Sequence, residues 1–169
     1  MPIKQGDTIP DTTFNYIPWS KDIQDGKASG SPTSFKAHEL WKGKKVVIVS
    51  IPGAFTPVCH MSHIPGFISK LSDIKAKGYE VVIIAANDPF VMSAWRVNME
   101  VEDKILFATD ANAEFSKQFG ASVDIPENGF GVRTARYALV INDLKVEYFG
   151  KDDGDLKDSS VEAVLLQLK

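Results

Sequence analysis

The sequence of 169 residues contains a single cysteine, Cys59, so no disulfide can form within the chain. A secreted scaffold held together by disulfides is therefore excluded as its class. An excess of one charge is also missing, since 22 acidic and 19 basic side chains leave a formal net charge of −3. Such a balance gives no electrostatic footprint for nucleic acid or for an anionic membrane. We therefore expect neither as a partner.

Long hydrophobic runs are also lacking. No stretch approaches the roughly 20 apolar residues that a helix needs to cross a bilayer, and residues 1–7 lack the apolar core of a signal peptide. These features favour a cytoplasmic protein. The hydrophobic fraction of 44% and the charged fraction of 24% are ordinary for a globular chain. The length suits one domain that spans residues 1–169.

Strand and helix signals alternate along the chain. The predicted strands are residues 44–51, 80–86, 104–109, 136–142 and 145–149. The predicted helices are residues 57–77, with a kink at Pro65-Gly66, then 88–99, 112–119 and 159–168. An edge hairpin around Phe14, a loop over 17–35, a short helix over 34–40 and a loop over 121–134 complete the expectation. This order of elements favours an α/β sandwich.

Cys59 lies where an apolar run, residues 46–51, meets the first helical stretch. Thr56 is a good N-cap residue, and Pro57 suits the first helical position. Cys59 would then lie in the first turn, where unpaired N–H groups and the helix dipole favour an anion. The pattern therefore predicts a reactive thiolate. The alternative is an inert cysteine that packs as a small hydrophobic side chain.

The spacing Pro52-x-x-x-Thr56-x-x-Cys59 resembles the active-site motif of the peroxiredoxins. The longer run from Pro52 through Phe67 is similar to the type II, or peroxiredoxin-five-like, subfamily of fungi, plants and animals. Two further blocks, at 87–95 and 129–139, agree with it. The resemblance implies an α/β thioredoxin-like fold with an N-terminal extension and a central mixed sheet flanked by helices.

The resemblance also implies the activity and the residues that carry it. A thiol-dependent peroxidase would reduce hydrogen peroxide and alkyl hydroperoxides, and Cys59 would be the peroxidatic nucleophile that becomes a sulfenic acid. The groups that would contact the peroxide are the Thr56 hydroxyl, the backbone N–H groups of Val58 and Cys59, and the Arg136 guanidinium. Pro52 would shield the sulfur from water. No cofactor or metal is expected.

Two histidines follow the cysteine. His63 lies four residues after Cys59 and so shares its helix face. The resemblance makes His63 a substrate-binding residue, whereas the alternative is a structural hydrogen-bonding histidine. His60 is expected on the helix surface. The pair His60-x-x-His63 lacks a thiol or carboxylate partner, so a metal site is not predicted. Arg133 would hold the loop before it or contribute to the pocket.

Positions that hold a second, resolving cysteine in relatives do not hold one here. Fungal relatives often have Ala-Cys-Gly where this chain has Ala28-Ser29-Gly30, and plant relatives often have a cysteine where this chain has Ile83. Residues 150–169 also contain none, although animal relatives carry one there. The chain must therefore use a one-Cys cycle. We expect an external thiol to close it, either glutathione with glutaredoxin or thioredoxin.

Other assignments remain open at this point. Type II relatives usually pair as homodimers, and Phe55, Phe90 and Trp95 are the candidate contacts by resemblance; the alternative for Trp95 is a plain core position. Cys59-x-x-Ser62 also resembles the active site of a monothiol glutaredoxin, which would make the protein a disulfide reductant. A redox sensor that relays the oxidised state to a partner is the non-enzymatic alternative. Peroxisome and mitochondrion are the alternative locations, although the last residues do not match Ser-Lys-Leu.

Overall fold

The computed structural model describes residues 1–169. The strands are β1 (Thr13–Tyr16), β2 (Thr33–Lys36), β3 (Lys45–Ser50), β4 (Tyr79–Ala85), β5 (Leu106–Thr109), β6 (Ser122–Ile125), β7 (Gly131–Thr134), β8 (Arg136–Asn142) and β9 (Lys145–Asp152). The helices are α1 (Ala37–Leu40), α2 (Ile64–Ser69), α3 (Leu71–Ala76), α4 (Pro89–Asn98), α5 (Glu114–Lys117) and α6 (Val161–Leu165). Each helix falls short of the length and apolarity that a membrane crossing requires.

Seven strands form one mixed sheet in the order β2-β1-β5-β4-β3-β8-β9. Strand β4 runs parallel to β3 and β5, while β8 is antiparallel to β3 and β9 is antiparallel to β8. The five strands β5, β4, β3, β8 and β9 form the sheet of a thioredoxin-like fold, and the N-terminal extension adds β1 and β2 at one edge. The expected fold class is therefore confirmed.

The apolar sequence of the central strands explains why they are covered on both faces. Along β3, Val46, Val47, Ile48 and Val49 are all fully buried. Successive side chains point to opposite faces, so alternate residues of β3 enter two separate cores. One core contains Val47 and Val49, and the other contains Val46 and Ile48.

The two cores have different roles. The core on one face joins Phe67 of α2 and Trp95 of α4 to the sheet and also contains Cys59. The core on the other face is built around aromatic side chains, among them Phe14, Trp41 and Phe115. Cys59 is therefore attached to the packed interior and not to a surface loop.

The first long helix differs from the expectation. It starts at residue 57, but Cys59–His63 forms a π-helical segment in which the Ile64 N–H donates to the Cys59 carbonyl five residues back. The kink at Pro65-Gly66 stays a prediction; Pro65 lies in the first turn of α2, directly after the π-helical segment. A break that was not predicted lies at Lys70, whose backbone leaves the helical region.

Three shorter segments also differ. The expected helix over 34–40 is strand β2 followed by α1, because β2 pairs with β1. The expected loop over 121–134 contains the β6–β7 hairpin. The expected helix over 112–119 is reduced to α5, since Asn112 and Ala113 have left-handed backbones. In the first two segments, pairing with another strand determines the structure, and the local periodicity of the sequence does not predict that pairing.

Candidate active site

The loop that leaves β3 places Thr56 one turn before the cysteine. Its backbone carbonyl accepts the first helical hydrogen bond, from the His60 N–H at 2.8 Å. Its hydroxyl does not cap the helix, which corrects the sequence-based expectation, but donates to the Gly53 carbonyl at 2.7 Å. The hydroxyl proton is thereby committed, and the lone pairs of Oγ1 remain available to accept a hydrogen bond.

The first helical turn presents two unpaired donors. The backbone N–H groups of Val58 and Cys59 make no hydrogen bond within the protein, and Pro57 has no N–H. Unpaired N–H groups at a helix start are the standard setting for an anion. The turn therefore offers two donors to a negatively charged oxygen or sulfur.

Cys59 is free and fully buried, with 0% of its surface exposed. Arg136 Nη1 donates to the Cys59 sulfur at 3.4 Å. The guanidinium is half-buried, and its Nε and Nη2 make no hydrogen bond to the protein. The remaining guanidinium donors are free to bind a second atom.

Two hydroxyl groups fix the backbone that carries Arg136. Ser50 Oγ donates to the Ala135 carbonyl at 2.8 Å, and Thr134 Oγ1 donates to the Ile51 carbonyl at 2.7 Å. Both bonds join the end of β3 to residues 134–135, directly before β8. They therefore hold the start of the strand that carries Arg136 against the end of the strand that precedes the Cys59 loop.

His63 lies beside Arg136 with 1% of its surface exposed. Its Nε2 is 2.9 Å from the Ser159 carbonyl, which can only accept, so Nε2 carries the proton. Nδ1 is then unprotonated and faces Arg136 Nη1 at a long 3.5 Å. Burial, aided by the Arg136 charge and opposed by the Ser159 bond, lowers the pKa of His63 to about 4. The imidazole is therefore neutral at physiological pH.

His60 turns away from this group. Its Nδ1 accepts a hydrogen bond from Trp95 Nε1 at 2.9 Å, and its ring stacks on Phe55. His60 is thus half-buried and engaged, in contrast to the exposed position that we expected. The two histidines have separate partners, so the structure does not bring them together as a ligand pair.

The loop before Cys59 is held by hydrogen bonds to Arg133 and to Asn87, and the sequence did not predict the second of these. Pro52 is half-buried, and its carbonyl accepts from Arg133 Nη1 at 3.2 Å. Asn87 Oδ1 accepts from the Ala54 N–H at 2.9 Å. The role of Asn87 was missed because 33 residues separate it from Ala54. The loop-holding role expected for Arg133 fits its bonds to Pro52 and Phe130.

Gly53 is required by close packing. A Cβ at this position would lie 2.9 Å from Thr56 Cγ2 and 3.3 Å from Arg133 Nη1. Any side chain would therefore displace either the threonine or the arginine that holds Pro52. This explains why the loop carries Pro-Gly at its start.

The largest cavity lies beside the site and not over the sulfur. It has a volume of about 610 Å³ and lies between residues 25–29 and α4. Ser29, Phe55 and Phe90 line it, and Cys59 does not. Ser29, the position of a resolving cysteine in fungal relatives, is therefore on a surface separate from the buried thiol.

The fold and this site define a thioredoxin-like protein with one buried, cation-paired cysteine at a helix start. The family model described as Redoxin matches residues 4–165. Peroxiredoxin Pen c 3 of Penicillium citrinum is 42% identical over 173 residues, which cover 99% of this chain and 100% of the relative. Peroxiredoxin-2D of Arabidopsis thaliana is 36% identical over 169 residues, which cover 99% of each chain.

A solved structure agrees with these relatives. Reduced Prx3 of Vibrio vulnificus in complex with H₂O₂ has a TM-score of 0.85 and 32% identity, covering 98% of this chain and 96% of that one. The chain belongs to the peroxiredoxin family, on its type II branch. It is a thiol peroxidase, and its single cysteine fits a one-Cys cycle.

The His63 environment predicts a loss of stability in mild acid. The unfolded residue takes up a proton near pH 6.5, whereas the folded one does so only near pH 4. Between these values the unfolded state binds more protons, so stability rises with pH across this window and is lost as the pH falls. We expect His63 to account for about 3 kcal/mol of the decrease in unfolding free energy between pH 6.5 and 4.

Urea denaturation at a series of pH values measures this dependence. The His63→Gln variant is the matched control, because its amide can still donate to the Ser159 carbonyl but does not titrate. Its stability should change less across the window than that of the unmodified protein. Equal slopes for the two proteins would contradict the assignment.

Proposed function

We propose that Cys59 attacks the peroxide while Arg136, Thr56 and the two free backbone amides hold and polarise it. The observation that carries this assignment is the contact of 3.4 Å between Arg136 Nη1 and the Cys59 sulfur, with the other guanidinium donors unused. Hydrogen peroxide and alkyl hydroperoxides are the substrates. A bound peroxide in the related Vibrio vulnificus structure supports that substrate class.

The reaction is an in-line displacement on oxygen. The thiolate forms an S–O bond with the near peroxide oxygen, and the O–O bond breaks with its electron pair moving to the far oxygen. That oxygen leaves as hydroxide or alkoxide and takes up a proton to give water or an alcohol. Cys59 is oxidised to the sulfenic acid, and the peroxide is reduced.

Ionisation alone cannot provide the rate. A free thiol of pKa about 8.5 is roughly 3% thiolate at pH 7, so complete ionisation gains only about 30-fold. Enzymes commonly accelerate a reaction over its uncatalysed rate by about 10⁶-fold or more. Most of the effect must come from donors arranged around the developing charge. Arg136 and the amides of Val58 and Cys59 supply those donors.

Thr56 has the complementary role. Because its proton is committed to Gly53, its oxygen accepts from the peroxide O–H. This favours the protonated peroxide and orients it between an acceptor at Thr56 and the donors at Arg136. Pro52 and His63 complete the pocket, the first by excluding water and the second by contacting Arg136.

An external thiol closes the cycle, because the chain has no second cysteine. Glutathione condenses with the sulfenic acid to a mixed disulfide and water, and glutaredoxin with a second glutathione then releases the Cys59 thiol and oxidised glutathione. Thioredoxin is the other reductant that we propose. We infer a cytoplasmic location, where such thiols are maintained.

The cycle predicts complete dependence on Cys59. Peroxide consumption with glutathione and glutaredoxin, or with thioredoxin and its reductase, should be lost in Cys59→Ser. The Ser29→Ala variant is the control and should retain full turnover, because the hydroxyl of Ser29 has no role in the cycle. Rapid single-turnover oxidation without recycling by any thiol would favour a redox sensor over a peroxidase.

The assignment of Arg136 predicts a selective loss of peroxide reactivity. Arg136→Lys keeps the charge but loses the planar donor pair, so the rate constant for oxidation by H₂O₂ should fall by about 100-fold or more. Alkylation of Cys59 by iodoacetamide needs no polarised O–O bond and should change far less. Stopped-flow oxidation and alkylation at one pH measure both, and an unchanged oxidation rate would overturn the role of Arg136.

We also propose a homodimer that covers the apolar surface beside the site. Four large apolar side chains are exposed there: Phe55 (47%), Val58 (41%), Met61 (75%) and Phe90 (50%). An exposed group of this kind indicates a contact surface. Trp95 is fully buried, which agrees with the core position that was the alternative to a contact role.

A charged substitution tests the dimer. Phe90→Asp should shift the protein towards monomer in sedimentation velocity, because it places a carboxylate in an apolar contact. Leu166→Asp is the matched control, since Leu166 is exposed but directly follows α6 and is not a member of the group. A monomeric unmodified protein, or a dimer unaffected by Phe90→Asp, would contradict this surface.

A further inference from the structure

Asp152 ends β9 and lies directly opposite Arg136 in the β8–β9 ladder. Opposite charges at directly opposed positions normally attract each other. The structure nevertheless has four ion pairs, and none of them includes Asp152 or Arg136. The carboxylate is engaged elsewhere, which leaves the guanidinium to the sulfur.

The partner of the Asp152 carboxylate is the turn at residues 157–159. Oδ2 accepts from the Lys157 N–H at 3.0 Å and from the N–H and hydroxyl of Ser159 at 2.9 and 2.6 Å. Oδ1 accepts from the Asp158 N–H at 2.8 Å. Burial alone would raise the pKa of Asp152, but these bonds outweigh it and hold that pKa below its usual value.

The turn is also packed closely against β9. The Tyr148 hydroxyl donates to the Asp158 carbonyl at 2.8 Å. A Cβ at Gly150 would lie 2.3 Å from the same carbonyl oxygen, so only glycine permits the approach. The turn therefore has one closely defined position relative to the sheet.

The position of the turn determines which ring nitrogen of His63 carries the proton. The Ser159 carbonyl, whose own residue donates its N–H and hydroxyl to Asp152, accepts a hydrogen bond from His63 Nε2. Nδ1 is left as an acceptor that faces Arg136. If the carbonyl moved away, the neutral ring could carry its proton on Nδ1 instead, and an N–H would then point at the guanidinium.

We propose that Asp152 is a positioning residue for peroxide reduction, acting on Arg136 through His63. The continuous contacts run from the carboxylate to the turn, from the turn to the imidazole, and from the imidazole to the guanidinium that meets the sulfur. Asp152 itself contacts neither the sulfur nor the peroxide. The inference rests on the role proposed above for Arg136.

Asp152→Asn is the test, because an amide cannot accept from all four donors. Misplacement of a catalytic group by about 1 Å can cost about 100-fold, so we expect oxidation by H₂O₂ to slow by about tenfold or more. Alkylation by iodoacetamide at the same pH should stay within about twofold, because it does not require an aimed guanidinium. A purely structural role would lower both rates together.

Asp153→Asn is the matched control. Asp153 is adjacent, exposed and paired only with Lys151 at the surface, so the variant makes the same charge change without touching the turn. It should oxidise at the unmodified rate. Ser159→Ala is a milder second variant, which removes one bond to the carboxylate but keeps the carbonyl, and Ser159→Thr should restore the rate.

The Arg136→Lys background separates this inference from the function on which it rests. If Asp152 acts through Arg136, the Asp152→Asn change should cost no more than about twofold in that background. Unchanged oxidation in Asp152→Asn, a parallel loss of both rates, or an equal loss in the Arg136→Lys background would each overturn the proposal. Fast oxidation in Arg136→Lys alone would instead overturn the proposed role of Arg136.

Discussion

The contact between the Arg136 guanidinium and the Cys59 sulfur is the interaction on which the site depends. A thiolate that is removed from water loses most of its hydration, and burial of an unpaired charge is costly. In the proposed mechanism, the cation and the free amides of the first helical turn replace that hydration with fixed dipoles and charge. Arg136 begins β8, and the helical turn with the free amides follows the loop after β3. Because both strands belong to the central sheet, the arrangement is already in place before a peroxide arrives.

The polar groups around this contact are arranged so that only certain donors remain unused. The Thr56 hydroxyl donates a hydrogen bond to the Gly53 carbonyl, and His63 Nε2 donates one to the Ser159 carbonyl. The Asp152 carboxylate accepts hydrogen bonds from the turn at residues 157–159. The unused groups are the Thr56 lone pairs, the two backbone amides and the guanidinium donors. A peroxide is small and offers little binding energy, so in the proposed mechanism most of its orientation comes from this prior organisation of the protein.

Sequence patterns predicted the parts of the fold and the site that are local. The apolar run of β3, the helix start around Cys59 and the order of the central strands β3, β4, β5, β8 and β9 are short-range signals, and the structure agrees with them. The π-helical turn, the break at Lys70 and the β6–β7 hairpin depend on packing and were not predicted. The partner of His63 is 96 residues away, and that of Ala54 is 33 residues away. Such contacts become visible only once the chain is folded.

The neutrality of His63 has a consequence for the charge at the site. A carboxylate in its place would also orient Arg136, but it would neutralise the guanidinium and weaken its field at the sulfur. A protonated imidazole would repel the guanidinium and could not accept from it. A neutral imidazole with its proton on Nε2 orients the cation and leaves the positive charge intact. The nearby carboxylate of Asp152 binds the turn at residues 157–159 and not its cross-strand neighbour Arg136, so it also leaves the charge of the guanidinium unpaired.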